Sequence, residues 1–237
     1  ASKKSPAYWD TSKVKADSQY KLFKKFDKFN KEHYFKLKKI CDFYNVDFLS
    51  TPFDNESANF LNKFVKYFKI ASADINNLPL INKILSFKKP IIFSTGASKL
   101  NEIKFTYNYI KKINPKIDVA ILHCILAYPT NYRDANLKKI TLFRKLFNKS
   151  LIGLSDHAIP DKNMLLLTRA YQLGATIIEK HFTLDRNLPG PDHKASLLPE
   201  ELSSMVVSIR NIEKALGNGI KQPSASELKN KLIIRKS

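Results

Sequence analysis

Apolar and polar positions along this chain follow two different periods. Between about Gln19 and Tyr44, the residues Leu22, Phe23, Phe26, Phe29, Phe35, Leu37, Ile40 and Phe43 recur among lysines at helical spacing. This predicts one or two amphipathic helices whose lysine-rich side meets solvent. A second unit then repeats six times: a short apolar, β-branched or aromatic run ending in small or polar residues, followed by a longer helical stretch. The runs cover residues 46–50, 67–71, 90–94, 118–123, 151–155 and 176–181. Runs this short and unbroken suit strands buried on both faces of a parallel sheet, and the intervals leave room for crossover helices. Residues 1–20 carry no sustained apolar period and are expected to form a loop.

A βα repeat leaves two architectures, a doubly wound open sheet and a (β/α) barrel. No run is followed by a G-x-G-x-x-G turn, so the barrel is favoured. In such a barrel the carboxyl ends of the strands carry the chemistry, and all six ends here are polar. The first three supply Thr51, Lys69, Ser72, Ser94 and Thr95, with Gly96 letting backbone N–H groups approach closely. Hydroxyls, an ammonium and free amides converging from neighbouring strands form an anion site for phosphate or carboxylate. Strand-end hydroxyls also cap helices, but three such ends in succession favour the site. The next three ends supply His123, His157 and His181. Neutral imidazoles on adjacent strands can hold a divalent ion, with His123 and His157 as the leading pair and His181 behind them. The acid and base candidates are Asp74, Asp156, Glu179 and Lys180. Alternation puts Glu179 and His181 on one face and Lys180 on the other, and leaves open which face is interior. Cys124 is expected to be a packed thiol. The loop at residues 188–193, with two prolines and a glycine, is a stiff turn that either covers the site or is purely structural.

Composition narrows the class. With 237 residues, 43% hydrophobic and 26% charged, the chain suits one sizeable domain and excludes a disordered or collagen-like protein. No window approaches the roughly 18 apolar residues of a membrane span, and no secretory signal is visible. Two cysteines make no disulfide framework, so a soluble, cytoplasmic protein is expected. The net charge of +20 suggests a polyanion, but nearly all of it is scattered lysine, whereas base and phosphate recognition favours the arginine fork. Nucleic acid and membrane are therefore set aside as partners, while a positive field still draws in small anionic substrates.

The strand-end strings resemble the sialic acid synthase family. They are Phe48-Leu49-Ser50-Thr51-Pro52-Phe53-Asp54, Tyr67-Phe68-Lys69-Ile70-Ala71-Ser72, Ile92-Phe93-Ser94-Thr95-Gly96, and Leu122-His123-Cys124 with Tyr128-Pro129-Thr130. Gly153-Leu154-Ser155-Asp156-His157, Ile178-Glu179-Lys180-His181-Phe182-Thr183 and Pro189-Gly190-Pro191-Asp192-His193-Lys194-Ala195-Ser196-Leu197 complete the set, in family order. The resemblance implies condensation of phosphoenolpyruvate with an N-acetylated amino sugar, typically N-acetylmannosamine, to give a nonulosonic acid. It implies an incomplete TIM barrel holding strands three to eight of eight, over residues 1–228, with 229–237 as the start of a linker. A front of roughly 60 to 80 residues and a terminal antifreeze-like domain are then expected to lie outside the chain. Carried over by motif, Thr51, Lys69, Ser72 and Ser94 bind phosphoenolpyruvate, and His123 and His157 bind manganese or magnesium. Asp74, Glu179 and Lys180 are the catalytic candidates, although Asp74 stands where the family usually has Glu. The resemblance also implies a homodimer. The alternatives are a barrel fragment acting as a binding module or as part of a split enzyme, and a metal-dependent hydrolase.

Overall fold

The computed structural model of the chain describes residues 16, 18–190 and 192–234, so most of the expected opening loop lies outside the described residues. The amphipathic stretch forms two helices, α1 (Gln19–Phe26) and α2 (Lys31–Phe43). The second opens on Asn30, whose side chain accepts from the amides of Glu32 and His33. A short α3 (Asn55–Leu61) follows. Five strands then appear among the described residues: β1 (Phe68–Ile70), β2 (Ile91–Ser94), β3 (Val119–Cys124), β4 (Leu151–Asp156) and β5 (Ile177–Lys180). Between them run α4 (Leu78–Ser86), α5 (Leu100–Ile113), the pair α6 (Tyr132–Ala135) and α7 (Lys138–Leu146), and α8 (Leu165–Gln172). After β5 come α9 (Pro199–Leu216) and α10 (Ala225–Ile234).

All five strands pair in parallel in the order β1-β2-β3-β4-β5. Spatial order equals chain order with no reversal, which is the winding of a barrel wall and not that of a doubly wound sheet. The sheet is also curled. Four strand spacings would hold β1 and β5 roughly 19 Å apart in a flat sheet. Yet Lys69 Nζ on β1 lies 3.4 Å from Glu179 Oε2 on β5. The fold is thus α/β with a parallel half-barrel sheet.

Outward side chains of the strands, among them Phe68, Ile70, Phe93, Ile121, Ile152 and Leu154, meet Leu80, Ile81 and Ile84 of α4, Ile103 and Ile110 of α5, Ile140 and Phe143 of α7, and Leu167 of α8. Each such burial contributes about 1.5–3 kcal/mol. Gly153 lets β3, β4 and β5 come together, since a Cβ there would lie 2.5 Å from both Ile177 O and Leu122 Cδ2. The run at residues 46–50 departs from expectation and forms no ladder. Phe48 packs instead in an aromatic cluster with Tyr34 and Phe64, while Val46 is 56% exposed. At the open end of the sheet, the run gains its contacts from rings and not from pairing. The domain boundary expected after residue 228 falls inside α10.

Candidate active site

The strand register sorts the carboxyl ends into two faces. Cys124 is level with Ser155, Ser155 with Glu179, and Ser94 with Leu122, two positions earlier on the same face of β3. These residues line the inner face with Lys69. Ser155 Oγ donates to Glu179 Oε1 (2.5 Å), and Ser72 Oγ, in the turn after β1, donates to Cys124 Sγ (3.7 Å). Gly96 N donates to Ser72 Oγ (2.9 Å). A Cβ at Gly96 would stand 2.9 Å from that oxygen and 3.1 Å from Cys124 Sγ, so the close approach requires glycine. Ser94 Oγ is buried without a hydrogen-bond partner among the described residues. Such an orphan costs about 1–3 kcal/mol. Burial pushes the Cys124 thiol up, which keeps it protonated, as a packed thiol should be.

His157 continues the inner face beyond β4. Its ring lies 5.2 Å from that of His181 and 4.1 Å from that of Tyr128, which also meets His181 edge-on. The Nδ1–H of His157 donates to Ile125 O (2.8 Å), which fixes the tautomer and leaves the Nε2 lone pair free. Burial lowers the pKa of His157, so the ring is neutral at pH 7 and fit to bind a cation. His181 Nδ1 stands 3.8 Å from Asp192 Oδ2. No group of three or more His, Cys, Asp or Glu able to hold a metal occurs among the described residues. Two imidazoles, those of His157 and His181, stand together at the ends of β4 and β5. Beside them, a cavity of about 370 Å³ is lined by Leu22 and Phe23 of α1 and by His181, Asp192 and His193.

Two expectations need correction. His123 does not join His157. One residue out of phase with Cys124, it turns outward, where its Nε2–H donates to Ala135 O (2.7 Å) and its ring meets Phe143 edge-on. The imidazole that the structure brings to His157 is that of His181. Lys180 also points outward, with Nζ on Asp156 Oδ2 (2.5 Å) and on Ala158 O, and burial lowers its pKa. Asp74 accepts from Asn77 Nδ2 (2.9 Å) in the turn that carries Ser72. Thr51 is half-buried in the unpaired segment that precedes α3 and β1. Sequence reasoning passed over Ser155 and Tyr128, although both lie in strings it quoted. The parity of Ser155, His157, Glu179 and His181 was the signal that could have found the first of them.

A family model described as the NeuB family matches residues 1–221. The chain belongs to the NeuB family. It is 43% identical over 240 residues to the N,N'-diacetyllegionaminic acid synthase of Campylobacter jejuni, a match covering 99% of this chain and 69% of that protein. It is 38% identical to the protein of the same name from Legionella pneumophila, covering 97% of this chain and 64% of that one. Among solved structures it resembles the N-acetylneuraminic acid synthetase of Leptospira borgpetersenii, with a TM-score of 0.77, 35% identity, and coverage of 86% of this chain and 70% of that chain. The NeuB chain described here therefore spans about two thirds of the length of its curated relatives. No described helix is long and apolar enough to cross a membrane.

Proposed function

We propose that this chain forms the catalytic barrel wall of a nonulosonic acid synthase, which condenses phosphoenolpyruvate with an N-acetylated amino sugar and releases phosphate. The observation that carries this reading is the inner-face group that joins Lys69 to Glu179 beside the orphaned Ser94 hydroxyl and the His157–His181 pair. In this reaction the methylene carbon of phosphoenolpyruvate bonds to the aldehyde carbon of the open-chain sugar. Water adds at the former enol carbon, and phosphate leaves with its bridging oxygen by C–O cleavage.

The Lys69 ammonium and the hydroxyls of Thr51, Ser72 and Ser94 hold the phosphate and carboxylate, an effect of position and fixed charge. An anion on Lys69 competes with Glu179 for the ammonium. Glu179, still accepting from Ser155, is then free to hold a proton from water or from a sugar hydroxyl. Asp74 is a second proton-handling candidate, on the turn that carries Ser72. His157, through Nε2, and His181 would hold a divalent cation, Mn2+ or Mg2+, which would supply Lewis acidity for the sugar carbonyl oxygen. The names of the two curated relatives favour an acceptor bearing acetamido groups, and the cavity beside His181 has room for one. On this reading, residues 46–50 and β1 to β5 take the places of strands three to eight of an eight-stranded barrel. Free Cys41 and Cys124 accord with a cytoplasmic setting.

One observation favours a second reading. Helix α2 has no buried residue, and Phe43 and Tyr44 at its end are 82% and 70% exposed. A surface of this kind suits a further polypeptide, as in a split enzyme or a binding module. Calorimetric titration with phosphoenolpyruvate and Mn2+, followed by addition of a diacetamido hexose, separates the two. Binding with phosphate release supports the synthase, binding alone supports the second reading, and absence of phosphoenolpyruvate binding overturns both.

A further inference from the structure

The ladder between β4 and β5 ends at Asp156 and Lys180, and the two inner histidines follow at once, one on each strand. Beyond that point the chains part. The His157 carbonyl accepts from Thr130 N (2.9 Å), and the His181 carbonyl from Leu197 N (2.8 Å). On the outer side a single ammonium still joins them. Lys180 Nζ donates to Asp156 Oδ2 (2.5 Å) and to Ala158 O, which belong to the residues immediately before and after His157. Asp156 Oδ1 in turn accepts from Ala158 N (3.2 Å), so the backbone on both sides of His157 is tied to one carboxylate–ammonium unit. Lys180 is itself the residue before His181. The unit is dry, with the Lys180 and Asp156 side chains 3% and 7% exposed. Behind it, Arg186 pairs with Glu201 and donates from Nε to Ser196 O (3.0 Å), tying the loop after β5 to α9.

We propose that Lys180 is a positioning residue, a buried clip that holds the His157 and His181 rings at a fixed separation and thereby sets the affinity of the pair for a divalent cation. The inference rests on the reading of that pair as cation ligands. A buried ion pair is seldom more stabilising than an apolar pair of similar volume, so stability alone gives no reason for a lysine here. The bonds from Lys180 have a direction that an apolar residue cannot supply: they bracket His157 from the residue that precedes His181. Two imidazole nitrogens on one cation must each come within coordinate-bond distance of it, so a small slip of one strand end against the other removes a ligand. Groups that orient ligands in this way typically change metal affinity by about 10–100-fold.

The test is Mn2+ titration of the full chain, joined to nitrogen-15 NMR of histidine in the metal-free protein. Lys180→Arg keeps a charged donor for both acceptors. Lys180→Met removes both bonds, and the double variant Asp156→Leu/Lys180→Met removes the pair without stranding a buried charge. Mn2+ binding is expected to weaken about 10–100-fold in Lys180→Met and in the double variant, and to stay near the parent's in Lys180→Arg. The His157 Nδ1–H signal should be lost or broadened in both Met variants and kept in Lys180→Arg. Parent-like Mn2+ affinity in a folded double variant overturns the proposal. If the parent itself binds no Mn2+, the ligand reading fails separately, and the metal-free signal decides the clip. Unchanged His157 resonances in the double variant then overturn it, and their loss with rescue by Lys180→Arg upholds it.

Discussion

Two lysine–carboxylate pairs bridge the carboxyl ends of the sheet, one on each face. On the inner face Lys69 and Glu179 stand 3.4 Å apart, with the Glu179 side chain 40% exposed. On the outer face Lys180 and Asp156 stand 2.5 Å apart, with both side chains almost fully covered. The inner pair is loose and wet enough to exchange partners, as a site for an anionic substrate must. The outer pair is saturated by its own chain and can act only on structure. The same two residue types thus serve opposite ends, and the phase of the strand decides which.

The largest expected effect separates the two pairs directly. Lys180→Met leaves Asp156 buried without its ammonium and is expected to destabilise the fold by about 3–5 kcal/mol, read from urea midpoints. Lys69→Met should change stability by less than about 1 kcal/mol, because Glu179 is partly solvated and keeps its bond from Ser155. Its cost falls on ligand binding. Loss of a charge-assisted contact should weaken phosphoenolpyruvate affinity by about 1.5–3 kcal/mol in calorimetry. Equal stability losses in the two variants would break the comparison, as would unchanged phosphoenolpyruvate affinity in Lys69→Met.

A smaller effect unites the faces. Burial lowers the pKa of both His123, outside, and His157, inside, below the ordinary value of 6.5. The unfolded chain therefore takes up these protons first. Stability is complete above pH 6.5 and falls as pH drops through 6.5 towards the folded values, by at most about 1.4 kcal/mol per pH unit for each ring. Urea midpoints at pH 7.5, 6.5 and 5.5 should decline in that order, and His157→Gln should remove its share of the decline. A midpoint that holds steady or rises on acidification rules this out.

These pairs also show what could be read from sequence. The polar end of each strand was visible because short buried runs stop abruptly at Lys, Ser, His or Glu, and alternation told Glu179 from Lys180. What no single strand contains is the phase of that alternation relative to its neighbours. Only the register, Cys124 level with Ser155 and Ser155 with Glu179, turns His181 inward and His123 outward. The His123–His157 pairing failed for that reason alone. Residues 46–50 have strand-like composition, but a ladder depends on what lies beside a strand and not on the strand itself.

The finest version of the comparison lies in two adjacent hydroxyls. Ser94 Oγ, on the inner face, is buried with no partner among the described residues, whereas Thr95 Oγ1 donates to Leu122 O (2.9 Å). Removing an unsatisfied hydroxyl deletes a desolvation penalty and no bond, so Ser94→Ala should leave stability level or raise it by up to about 1 kcal/mol. If the hydroxyl awaits a phosphate or carboxylate oxygen, the same change should weaken phosphoenolpyruvate binding by about 1 kcal/mol, roughly fivefold. Thr95→Val should do the reverse, lowering stability by about 1 kcal/mol while leaving phosphoenolpyruvate affinity in place, since Leu122 O keeps the bond from Thr95 N (3.1 Å). A Ser94→Ala protein that loses stability but not affinity would mean that the inner hydroxyl serves packing, and the anion site would have to rest on Thr51, Lys69 and Ser72.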